Sequence, residues 1–141
     1  MSKQQFEKLF SPDETNSLIP RLELIVRELQ GAASGLRARV AKLAEGDQSV
    51  LGAELPELIE RFPELRGFAA RMSEAAGRIE SMGGVLKDID QGLVDFPCEV
   101  GGEVVFLCWQ SGEPRVIAWH TTDSGFSERQ PLPGVAKPLM N

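Results

Sequence analysis

EVVFLCWQSGEPRVIAWHT, residues 103–121, decides the fold. Two runs rich in β-branched and aromatic residues flank Ser111-Gly112-Glu113-Pro114, a turn signal. The stretch is a β-hairpin. A short turn can join only antiparallel strands. Upstream, GLVDFPCEV (92–100) reads as another strand, interrupted by Pro97 and closed by the turn Gly101-Gly102. VLKDI (85–89) adds a further short one. The expectation is an antiparallel β-meander of three to four strands over about 85–121.

Before Gly83-Gly84, a helix-stop pair, the apolar period is near 3.6 rather than 2. Leu18, Leu22, Ile25, Leu29, Ala32, Leu36, Val40 and Leu43 form one helical stripe. Ser11-Pro12-Asp13-Glu14 starts it, with Ser11 as cap and Glu14 closing a capping box. Pro20 lies inside the run and predicts a kink or a loose first turn. Gly31 and Gly35 weaken the middle or admit a close helix contact. EGDQSVLGAELP (45–56) breaks the pattern. A second stripe follows through Leu58, Phe62, Leu65, Ala69, Met72, Ala76 and Ile79, and Pro63 either kinks that helix or starts it. The fold class is α+β: a long antiparallel helical hairpin, about 11–83, packed beside the meander. Residues 1–132 make one domain, and 133–141 an extended tail.

A helix of ~30 residues is ~45 Å long. One helix pair of that length leaves apolar surface for the sheet or for a second subunit. A homo-oligomer, as a two-fold dimer, is therefore expected.

The bulk composition narrows the partners. The 141 residues carry a net charge of −6, with 42% apolar and 26% charged side chains. That balance repels phosphate backbones and anionic membranes, so neither nucleic acid nor membrane is expected as a partner. No apolar run approaches the ~20 residues that span a bilayer. MSKQQFEKLF has no apolar segment of the signal-peptide kind, and a cytoplasmic location is expected. Cys98 and Cys108 are too few for a disulfide framework or a four-cysteine zinc site.

Chemistry-bearing residues concentrate in the opening stretch. It holds Cys108, Glu113 and the only histidine, His120, with both tryptophans, Trp109 and Trp119. The hairpin places Cys108 near Ile117 or Ala118, and His120 near Val105 or Phe106. A shift of one residue changes which of them share a face, so the register stays open. On one face, Cys108, Glu113 and His120 suit zinc or iron, with Asp95 in reach. The plainer reading makes Cys108 a small core residue, the tryptophans a cover for the sheet, and His120 a strand end. No resident cofactor is the first expectation and a zinc or iron ion the alternative.

KDIDQGLVDFP (87–97) has the acids of a calcium loop, but Leu93 stands where the obligatory glycine belongs. Asp88 and Asp90 read as turn-forming residues. Asp95 alternates with Val94 and Phe96. If its face is buried it needs a partner, for which Arg115 and Arg129 are candidates. In HTTDSGFSER (120–129), Asp123 and Arg129 read as a structural pair closing a turn. Phosphate-loop, dinucleotide, zinc-protease and serine-hydrolase motifs are absent.

Four blocks carry a family resemblance: LFSPDETNSLIPRL, KDIDQGLVDFP, VFLCWQSGEPRVIAWH and GFSERQPL. In this order they resemble the bacterial family catalogued as domain of unknown function 2203, over about residues 9–132. The resemblance places Asp88, Gly92, Asp95, Pro97, Cys108, Trp109, Gly112, Glu113, Trp119, His120, Gly125, Phe126, Arg129 and Pro131 in a shared pattern. It implies no activity. Cys98 and the residues after Leu132 fall outside the pattern.

Three functions are expected in order. The first is a non-catalytic interaction or regulatory module that self-associates through its helices. The second is a metal or small-molecule site on the meander, built on Cys108, Glu113 and His120 with Asp95 and Arg129 behind them. The third is an enzyme using His120 as general acid or base.

Overall fold

The computed structural model describes residues 6–133. The first long helix, α1, spans Pro12–Gly46. Its start is the expected capping box: Ser11 Oγ accepts from Glu14 N at 3.1 Å, and Glu14 Oε1 accepts from Ser11 N at 2.9 Å. Asp13 and Glu14 lie at the positive end of the helix dipole. The helix runs unbroken through Pro20, so the expected loose first turn is not seen.

The second stripe is not one helix. Gln48–Gly52 and Pro63–Leu65 are short 3₁₀ segments, with α2 at Leu55–Arg61 and α3 at Arg66–Ser81. Pro63 ends one element and begins the next. Its ring bars the preceding residue, Phe62, from helical geometry, and Phe62 has φ −131° and ψ 84°. α3 packs on α1, and Gly35 permits the approach. A Cβ there would meet the Phe68 ring at 2.5 Å.

Five strands follow rather than three to four: β1 Val85–Asp88, β2 Leu93–Val100, β3 Glu103–Gln110, β4 Ala118–Thr121 and β5 Gln130–Pro131. They form one antiparallel sheet in chain order. β5 has two residues, too few to show a period, and lies beyond the meander expected over about 85–121. The remaining expected tail, 134–141, lies outside the described residues.

Pro97 does not interrupt β2. Its carbonyl accepts from Phe10 N at 2.7 Å on the side away from β3. A residue's N and O point to the same side of a strand, so its missing donor falls on that edge, beyond the end of β1.

The sheet has two unlike faces. Val94, Phe96, Val105, Leu107 and Trp109 point toward α1 and α3. They join Leu22, Ile25, Val26, Leu29 and Ile79 in the main core. A second core lies farther along α1, where Leu36 meets Val50, Leu58 and Leu65. Met72 packs against both. The stripe of α1 is thus covered first by the sheet and then by the segment that follows the helix.

Candidate functional site

The β2–β3 register pairs Asp95 with Cys108, and the β3–β4 register pairs Phe106 with His120. Asp95, Cys108 and His120 therefore share the sheet face turned away from the helices. The open question of register is settled in favour of one shared face. Their ligand atoms all lie within 4.8 Å of one another. All three are buried, with Asp95 1% and His120 2% exposed.

The histidine is fixed at both nitrogens. Nδ1 lies 2.8 Å from the Thr121 carbonyl oxygen, which can only accept, so Nδ1 carries a hydrogen. Nε2 lies 2.8 Å from Asp95 Oδ2. With its proton on Nδ1, the neutral ring aims a lone pair at a carboxylate. At 2.8 Å the two atoms share a proton in a hydrogen bond; an ion held by both would lie to one side of the line joining them and displace that proton.

The surroundings are mixed. Lys87 Nζ is 3.8 Å from Asp95 Oδ2 and sits over the Phe106 ring at 4.6 Å. Phe6 packs edge-on against the same ring. Phe126, Gly125 and Ser124 come from the loop after β4 and close a cavity of about 70 Å³ over the three side chains. Burial pushes the Asp95 carboxyl above its ordinary value, against the pull of His120 and Lys87. Burial pushes the Cys108 thiol up to about 11; the Asp95 charge adds to this and Arg129 opposes it. Burial thus disfavours the charged form of both groups.

The other candidates fall elsewhere. Glu113 Oε1 accepts from Gln110 N at 2.9 Å and Oε2 from Arg129 at 2.8 Å, so its carboxylate is held by the hairpin. Arg129 thus pairs with Glu113, not with Asp95 or Asp123. Among the described residues, its Nη1 is buried without a hydrogen-bond partner. Arg115 is exposed. Trp109 and Trp119 lie on the opposite, core face, and Trp109 Nε1 donates to the Glu113 carbonyl at 2.8 Å. Asp123 accepts from Thr121 Oγ1. Asp88 accepts from Gln91 N at 2.9 Å as a turn residue should, whereas Asp90 pairs with Arg37 of α1.

Sequence reasoning missed Lys87, the Thr121 carbonyl and Phe126 as a lid. Lys87 comes from an edge strand whose pairing shifts between Leu86 and Asp88, so no simple alternation places it.

The arrangement limits the chemistry. A cysteine nucleophile needs a histidine free to take its proton. Here both ring nitrogens are engaged and the thiol is held protonated. Among the described residues, no helix is long and apolar enough to cross a membrane.

An α+β protein with a buried aspartate–cysteine–histidine cluster behind its sheet is the class these features define. The chain belongs to the family of uncharacterized conserved proteins DUF2203, whose model matches residues 8–132. No curated protein and no solved structure matches it.

Proposed function

We propose that this protein binds a divalent metal ion, zinc first among the candidates, between Asp95, Cys108 and His120. The observation that carries this reading is the buried cluster itself, in which His120, Asp95 and Cys108 bring their ligand atoms within 4.8 Å of one another while His120 Nδ1 is held by the Thr121 carbonyl. Carboxylate, thiolate and imidazole are the usual zinc donors, and a histidine held through Nδ1–H to a carbonyl is the usual way to present Nε2 to a metal. A bound ion would deprotonate Cys108 and offset the burial of Asp95. A thiolate would also give the Arg129 guanidinium, which acts electrostatically on Cys108, an anionic neighbour.

The set differs from the sequence expectation by one member: Asp95 replaces Glu113. The helical layers, read as a hairpin, serve as the scaffold that holds the sheet. Self-association through them draws less support, because the uncovered stripe on which it rested is packed within the chain.

Metal content of untagged protein, purified without chelator, tests the proposal. The expected result is near-equimolar zinc, lost in Cys108→Ser and in His120→Ala while circular dichroism keeps the helical signal. Protein that carries no stoichiometric metal, and whose melting temperature is unmoved by added zinc, would sink it.

A further inference from the structure

Resting on that metal site, we propose that one coordination position is open and takes a small anion. Three protein donors meet at the cluster, and among the described residues no fourth histidine, cysteine or acid joins them. Glu113 is held by Gln110 N and Arg129. Ser124 Oγ is engaged with Thr121. Phe126 and Leu93, whose side chains are hydrocarbon, also line the cavity. A tetrahedral ion bound here keeps its fourth position for a non-protein ligand, the pattern of reactive rather than structural zinc.

The space selects the ligand by size. About 70 Å³ holds a few water molecules or an anion of roughly three to four heavy atoms. The charge selects its sign. The carboxylate and the thiolate neutralise the ion, and Glu113 neutralises Arg129. Lys87 then stands as the uncompensated cation on the wall, with its side chain 39% exposed and its ammonium 3.8 Å from Asp95. A monoanion entering beside Lys87 meets both the ion and the ammonium.

Cobalt(II) with azide as the probe tests this. Full-length protein is loaded with cobalt and its visible spectrum followed while azide is added. The expected result is equimolar cobalt with a thiolate charge-transfer band that Cys108→Ser removes. Azide should shift the ligand-field bands saturably, and Lys87→Met should weaken that azide affinity about tenfold. A thiolate band with ligand-field bands that azide never moves would overturn the open position and leave metal binding standing. Cobalt that does not bind at all would overturn both.

Discussion

At the scale of single residues, the telling group is Asp95. It is 1% exposed, its carboxyl is raised by burial, and its partners come from β1 and β4. A buried carboxylate kept for binding is a cost to the metal-free fold. Asp95→Asn should abolish metal uptake while leaving the metal-free protein more stable by about 1 kcal/mol at neutral pH, since the amide can donate to His120 Nε2. The sign of the pH dependence follows from the raised carboxyl. Its contribution is fully present below the unfolded value of 3.8 and is lost as pH rises through the folded value. The advantage of the variant should therefore vanish in acid and grow toward neutrality. Denaturant melts of both proteins across pH, in chelator, read this directly. The sequence showed that Asp95 opposes Val94 and Phe96 and would need a partner. It could not name His120, because the two are 25 residues apart and meet only through the registers of three strands.

Among elements, the change of period at Gly84, the capping box and the Gly101-Gly102 turn were legible, because each is written in adjacent residues. Pro63 was ambiguous because it starts one helix as readily as it breaks another. β5 was invisible because it borrows its order from β4. One contact that ties helix to sheet was also beyond reach. Glu23, on α1, accepts from Ser111 Oγ and, at 2.8 Å, from Gly112 N in the β3–β4 turn. Burial raises the Glu23 carboxyl, but these bonds and Arg27 outweigh it and leave the value lowered. Glu23→Gln should cost about 1 kcal/mol at pH 7. A lowered carboxyl stabilises above the unfolded value of 4.5 and loses that contribution as pH falls through the folded value. The gap between variant and parent should thus close in acid, the reverse of the Asp95 case. Urea titrations at pH 7 and in acid measure it.

For the whole molecule, the two cores predict separable effects. Leu65 is fully buried in the core at the far part of α1, whereas the cluster lies behind the sheet. Leu65→Ala should cost about 2–5 kcal/mol of stability and leave zinc affinity unchanged. Combined with His120→Ala, its effect on stability should add, since the two residues belong to separate clusters. Calorimetry and a zinc titration on the single and double variants check both statements. Strand alternation also fixes where the indoles point. Trp109 follows Cys108 directly, and Trp119 directly precedes His120, so each indole is the neighbour in sequence of a proposed ligand while its ring points through the sheet to the other side. The chain has no tyrosine. Its near-ultraviolet emission therefore comes from two fluorophores that sit one peptide bond from the cluster, and the fold carries its own optical gauge of what occupies the face behind them.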